Sequence, residues 1–348
     1  MSSAPDPTGA RVIGTLNNCA GGKTPWGTVL IAEENIHQYF SGAPEGTEAG
    51  NHARMGIKGK PRYSWGRHDA RFDVEQEPNE PNRFGWLVEI DPYDPASLPV
   101  KRTALGRFKH EGAGTALTGD GRCAVYSGDD QRFEYLYKFV TDARVIHSDP
   151  AANRNILDHG TLYVARFEDD GTGHWVALRL GDGPLTAANG FKTQADVMIE
   201  TRRAADLMRA TPMDRPEDVE PNPVNGRVYA MLTNNTKRKA EQADGPNPRG
   251  PNPFGHVLEL TPAAGPDGKP DHGADSFTWD ILLRAGDPSR PDHDARYHPA
   301  TATQGAWLAA PDNCAFDPRG RLWISTDQGS RQKKNGIPDG MYACDLDG

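Results

Sequence analysis

The sequence predicts an all-β fold, a β-propeller, on three observations. Gly and Pro (38 and 29 of 348 residues) make up about a fifth of the chain, against roughly 12% in average usage, which leaves little room for long helices. Short runs rich in β-branched and aromatic residues recur between turn clusters, the signature of strands. A weak internal repeat places an acid ahead of such a run at Glu111, Glu217 and Asp312.

In chain order the runs are GTVLIAE (27–33), GWLVEIDP (85–92), RCAVYSGDD (122–130), EYLYKFV (134–140), GTLYVARFE (160–168), GRVYAMLT (226–233), GHVLELTP (255–262) and GRLWIST (320–326). Gly, Pro, Asn and Asp cluster between them, residues that favour turns. The repeat aligns PEDVEPNPVNGRVYAMLTNN from Pro216 with PDNCAFDPRGRLWISTDQ from Pro311: a proline, an acid, an Asn/Asp-Pro turn, a Gly-Arg step and a strand ending at Thr. EGAGTALTGDGRCAVYSGDD from Glu111 is a third, looser copy. The leading acids lie 106 and 95 residues apart, about twice the roughly 40–50-residue unit of a propeller blade. The first strand of a blade lines the central channel, so these acids are expected to form a carboxylate ring at one mouth.

The clearest helical pattern runs from Val197 to Arg209, with Met198, Ala204, Ala205, Leu207 and Met208 as its apolar stripe, and stops before Pro212. It is expected to cap or bridge blades. Segments 41–82 and 236–254 are rich in Gly, Pro, Asn and charge without periodicity and read as loop inserts over the propeller faces. No interdomain linker stands out, so 1–348 is read as a single propeller domain.

The balance of 39 basic against 48 acidic residues, a net charge of -9, argues against a nucleic-acid surface, which needs Lys and Arg to displace counterions. It fits an acidic site that collects cations. The longest apolar run, Val29 to Ala32, is far short of the ~18 residues of a membrane span. The start MSSAPDPTGA has neither the basic nor the apolar region of an export signal. Neither nucleic acid nor membrane is therefore expected as a partner. Cys19, Cys123, Cys314 and Cys344 form no CxxC pair, and GxSxG, P-loop, GxGxxG and HExxH patterns are absent.

Several residues could carry chemistry. Cys19, in the Gly-rich turn of NNCAGGKTPWGTVLIAEEN, is either a metal thiolate sharing an ion with Glu33 or Glu34, or a small buried thiol. Glu111, Glu217 and Asp312 gain weight from the repeat: like charges gathered on an axis repel unless hard cations neutralise them. Turn-capping is their alternative role. Arg215, two residues before Glu217, offers a guanidinium fork to an oxyanion or a salt bridge to an acid. Asp129, Asp130 and Glu134 make an oxygen-rich group without EF-hand spacing, and His110 and His256, near repeat positions, read as hydrogen-bonding histidines.

In order and with compatible spacing, NNCAGGKTPWGTVLIAEEN, GWLVEIDP, GRFKHEGA, GDDQRFEYLYKFV, ATPMDRPEDVEPNP and PDNCAFDPRGRLWISTD resemble the PhoX family of bacterial alkaline phosphatases, over Gly14 to Tyr342. The resemblance implies a six-bladed propeller, incomplete here because family members extend further at both ends. It implies an axial cluster of iron (Fe3+) and calcium (Ca2+) that hydrolyses small-molecule phosphomonoesters through a metal-bound oxo or hydroxide nucleophile. Carried over by motif, Cys19 would be the iron thiolate, Glu34, Glu111, Glu217 and Asp312 the cluster carboxylates, and Arg215 the catalytic group on the substrate phosphate. Glu34 is preferred to Glu33 for its place at the end of the motif. An extra role is allowed for Asp129 and Asp130. Family membership also implies twin-arginine export to the periplasm or beyond, in the service of phosphate scavenging; a monomer is expected. Two other readings use the same ring of acids: a calcium-centred lactonase or phosphotriesterase that has no need of Cys19, and a noncatalytic propeller presenting 41–82 and 236–254 to a partner. Iron content separates the first of these from the phosphatase.

Overall fold

The computed structural model describes residues 2–4, 6–298 and 306–346. Its strands fall into four successive antiparallel units, the blades of a propeller. The first holds β1 (Asn18–Lys23), β2 (Val29–Glu33), β3 (Leu87–Ile90) and β4 (Val100–Lys101). The second runs through β5 (Gly114–Leu117), β6 (Arg122–Gly128), β7 (Leu136–Arg144), β8 (Gly160–Phe167) and β9 (Thr172–Ala177). The third holds β10 (Pro216–Pro221), β11 (Val228–Leu232), β12 (His256–Pro262) and β13 (Ser276–Arg284), and the fourth β14 (Pro311–Phe316), β15 (Leu322–Thr326) and β16 (Met341–Cys344). β13 pairs through Ser276–Thr278 with Thr172–His174 of β9, so blades two and three share one nearly closed nine-stranded sheet.

Strand periodicity explains how the blades pack. Successive side chains point to opposite faces, and in β6 Val125 joins Leu30, Ala32 and Leu87 of blade one while Ala124 and Tyr126 join Val219, Val228 and Ala230 of blade three. Tyr229, Met231 and Val257 of blade three in turn meet Leu322 and Ile324 of blade four. Each core therefore lies between neighbouring blades, and the leading strands β1, β5, β10 and β14 come side by side. Glycine makes this approach possible: a Cβ on Gly22 would lie 1.8 Å from the Ala113 carbonyl oxygen, and one on Gly114 2.3 Å from that of Val219.

All eight sequence-predicted runs contain strands. Three expectations need correction. The repeat unit is a whole blade of about 100 residues, not half of that, because Glu111, Glu217 and Asp312 open consecutive blades. Long excursions between strands stretch each blade well past the usual ~50 residues. The helix expected over 197–209 is two, α2 (Gln194–Ile199) and α3 (Thr201–Leu207), interrupted at Glu200, whose backbone (φ -102°, ψ 37°) is not helical. A capping box at Thr193 and Asp196 starts α2 before the apolar stripe begins. Finally, segment 41–82 is more than a loop: it contains α1 (Ala49–Arg54) and buries Met55, Ile57, Phe72 and Val74 against Ile36, Phe40 and Phe84 in a core of its own. Among the described residues no helix is long and apolar enough to cross a membrane.

Candidate metal centre

At the head of the leading strands the hydrogen-bond ladder slips. Register shifts fall between Asn18 and Gly21 in β1, Pro216 and Val219 in β10, and Pro311 and Cys314 in β14. Cys19, Glu217 and Asp312 lie inside these irregular steps, each the second residue of its strand. Bulges of this kind re-aim a side chain out of the regular alternation and are common beside active sites. Glu111 precedes β5 and is held by its N–H donating to the Gly128 carbonyl at 3.1 Å. Cys19 thus takes in blade one the station that acids occupy in the other three blades.

The result is a convergence. Ligand atoms of Cys19, Glu34 and Glu111 lie within 4.8 Å of one another, as do those of Glu111, Glu217 and Asp312, with Glu111 common to both groups. Cys19 Sγ is 3.0 Å from Glu111 Oε1, and Asn313 Nδ2 donates to the same oxygen at 3.3 Å. Glu34, Glu111 and Glu217 are buried, Asp312 is half-buried and Cys19 lies on the exposed side. Arg215 spans the edge: its Nη2 donates to Asp130 Oδ2 at 2.8 Å and lies 3.1 Å from Glu217 Oε1. No hydrogen bond from Arg215 Nε or Nη1 to a described residue occupies those donors. Its backbone sits in the left-handed region (φ 57°), a conformation costly for a non-glycine residue and frequent at functional sites.

Electrostatically the hollow is frustrated. Burial, then the charges of Asp130 and Glu111, push the Glu34 carboxyl up to about 9. Burial, followed by Glu111, Asp130 and Asp327, carries Asp312 up to about 8. Glu111 and Glu217 shift the same way, burial again first and Asp130 next. Burial and the neighbouring Glu111 and Glu34 also raise the Cys19 thiol. Asp130 Oδ1 is buried without a hydrogen-bond partner, and Glu217 Oε1 accepts none, having only the ion-pair contact with Arg215 at 3.1 Å. Orphaned acceptors and mutually repelling carboxylates are what a bound cation resolves. The donor set fits: carboxylates suit hard cations such as calcium, and a thiolate among them suits iron.

Other sequence candidates separate cleanly. Glu33 is fully buried away from the hollow, paired with Lys101 at 2.7 Å and accepting from the Leu16, Gly85 and Trp86 amides. Asp129 is taken up by Arg202, whereas its neighbour Asp130 belongs to the hollow. Glu134 pairs with Arg54. His110 spends its ring nitrogens on Ser127 Oγ and the Gly106 carbonyl, and His256 on Asn252 and the Pro246 carbonyl. Sequence reasoning missed Asn313, although it follows the repeat acid directly. It also missed Asp218, which accepts from the Cys314 amide at 3.1 Å and so ties β10 to β14. Burial lifts Asp218 to about 7.

Comparison with known proteins bears on this geometry. A family profile described as "Alkaline phosphatase PhoX" matches residues 1–344. Among solved structures, Pseudomonas fluorescens PhoX in complex with vanadate, a transition state analogue, is 43% identical and superposes with a TM-score of 0.91, covering 99% of this chain. This chain spans 61% of the length of that protein. No curated protein sequence matches.

Proposed function

The chain belongs to the PhoX alkaline phosphatase family, and we propose that it hydrolyses phosphate monoesters in the hollow lined by Cys19, Glu34, Glu111, Glu217 and Asp312. The observation that carries this reading is the meeting of one thiol and four acids around Glu111, beside an arginine with donors to spare. We assign iron to the Cys19 side and calcium to the carboxylates, the metals that the family resemblance implies and that this donor set can hold. Bound there, the ions would supply positive charge to the phosphoryl oxygens and acidify the attacking water.

The protein's own groups do the rest. Glu34, Glu111, Glu217 and Asp312 hold the ions, and each must be ionised to do so, which their raised pKa values disfavour until cations arrive. Arg215 presents Nε and Nη1 to the transferring phosphoryl group, where charge on the equatorial oxygens grows toward the transition state. Asp130 fixes the angle of that guanidinium through its 2.8 Å contact. Vanadate, bound by the Pseudomonas fluorescens relative, imitates a five-coordinate phosphoryl group, and a site complementary to that shape serves this reaction class. No serine or cysteine nucleophile is required. The reading extends to a single propeller domain, a monomer, and export to the periplasm or beyond.

Cys19→Ser tests the assignment directly. It is expected to lose iron, the visible thiolate-to-iron absorption and aryl-phosphate turnover together. A Cys19→Ser protein that kept both iron and full activity would overturn it.

A further inference from the structure

Six arginines are buried among the described residues: Arg83, Arg102, Arg107, Arg202, Arg238 and Arg249. Four of them pair with a carboxylate, Arg83 with Asp6, Arg102 with Glu89, Arg202 with Asp129 and Arg238 with Asp214. Arg249 forms no ion pair among these residues, but it gives Nη1 and Nη2 to three backbone carbonyls, and the first charge to reach it is that of Asp294. Arg107, wholly buried, is the exception. Its Nε donates to the Phe84 carbonyl at 2.8 Å and its Nη2 to the Pro81 carbonyl at 2.7 Å, while Nη1 is buried without a hydrogen-bond partner. Among the described residues no carboxylate pairs with it. Glu48 and Glu33, whose fields reach it, are engaged elsewhere, Glu48 by the Asn51 and Asn82 side-chain amides and Glu33 by Lys101. Burial, then the charge of Arg202, lowers Arg107 to about 9.

Arg107 lines a small cavity where three segments meet: α1 and the Met55 that follows it, Arg107 itself, and 199–203 at the junction of α2 with α3. The Arg107 amide fastens the second segment to the third, donating to the Met198 carbonyl at 2.9 Å and to Thr201 Oγ1 at 3.0 Å. Arg54, Arg202 and Arg203 also line the space, and each is matched: Arg54 by Glu134 and Asp206, Arg202 by Asp129 and Glu134, and Arg203 by Glu200, the one acid on the wall. The surplus positive charge at the cavity therefore belongs to Arg107. A buried charge is costly unless a counter-charge accompanies it. The cavity measures about 20 Å³, room for one water-sized particle, which needs ~10–15 Å³, and too little for a tetrahedral oxyanion. A water there would complete the hydrogen bonding of Nη1 and leave its charge unanswered; a monatomic anion does both.

We propose that this cavity is a halide site, filled by chloride, in which Arg107 Nη1 is the principal donor. The ion would stitch α1 and the core of segment 41–82 to the α2–α3 junction and to the strap that leads from Arg107 to Glu111. It takes no part in the chemistry of the metal centre, and the inference stands whether or not the chain is a phosphatase.

Two measurements test it. In crystals of the purified chain grown in sodium bromide, diffraction data collected at the bromine absorption edge are expected to show an anomalous peak at hydrogen-bonding distance from Arg107 Nη1; density there without anomalous signal is water and overturns the proposal. In solution, replacing gluconate by chloride at constant ionic strength and constant metal content is expected to raise Tm by about 2–4 °C in a saturable manner, the scale of a ligand at about ten times its Kd. Arg107→Met should make Tm indifferent to the exchange; a variant that kept the full chloride response would place the ion elsewhere and overturn the assignment. Should Arg107→Met fail to fold, the bromide map and the wild-type titration decide. A bromide peak combined with a wild-type Tm that ignores chloride would mean an adventitious ion only, and would equally overturn the proposal.

Discussion

The peptide bond between Asp129 and Asp130 separates two kinds of buried charge. On one side Asp129 is fully buried with both oxygens on Arg202, at 2.8 Å from Nε to Oδ2 and closer still for the other pair. Arg202 also reaches Glu134, Arg54 grips Glu134 and Asp206, and the Tyr135 hydroxyl donates to Asp206 at 2.7 Å. On the other side Arg215 pairs with Asp130 and Glu217, while Glu34, Glu111 and Asp312 form no ion pair among the described residues. Both regions are acidic and withdrawn from water. What distinguishes them is the balance of partners: acids matched by arginines are architecture, and acids that outnumber their one arginine are suited to hold cations.

The largest expected effect comes from breaking this contrast on the unpaired side. Glu217→Gln should cut aryl-phosphate turnover by about 10^3-fold, the scale of losing a major electrostatic contributor, and lower metal content. Yet the same change should stabilise the metal-free protein, because it removes a repelling charge. On the paired side the sign reverses: Asp129→Asn strands Arg202 and should destabilise by about 3–5 kcal/mol in urea melts. If both variants moved metal-free stability in the same direction, the contrast would be lost.

Acidity sharpens it further. Glu34 and Asp312 have folded-state pKa values raised to about 9 and about 8, from 4.5 and 3.8. The folded metal-free protein therefore binds more protons than the unfolded chain between about pH 4 and 9, and its stability falls as pH rises through that window. Added calcium and iron should flatten the slope, as thermal melts across the range would show. Asp129→Asn should leave this slope in place. The smallest effect is expected from Arg54→Met, which cuts the partly exposed tie between α1 and Glu134 and should cost about 1–2 kcal/mol without altering metal content.

Much of this was legible in the chain. The strand runs announced a propeller, and the repeat picked out three acids that do converge. Local pattern also carried the strand ends that place Glu33 and Glu34 together, but not which of them faces the hollow; that depended on Lys101, distant in sequence. The contact of Cys19 with Glu111 likewise spans 92 residues. Asp129 and Asp130 looked alike because a charge reads the same whether or not an arginine waits for it across the fold. The slips in β1, β10 and β14 are backbone events that residue type does not announce. The core of segment 41–82 was hidden by its Gly, Pro and charge content, since Phe40, Met55, Ile57 and Phe72 meet without any regular period.

Metal analysis of the purified chain by mass spectrometry, run beside aryl-phosphate hydrolysis at alkaline pH, decides whether the acids around Glu111 and the Cys19 thiol form a catalytic metal centre. Iron and calcium are expected to be bound together, with turnover that disappears on chelation and returns on reloading. A folded protein that bound neither metal tightly and turned over no phosphomonoester would contradict it; calcium without iron, accompanied by cleavage of a lactone or phosphotriester, would contradict the role given to Cys19.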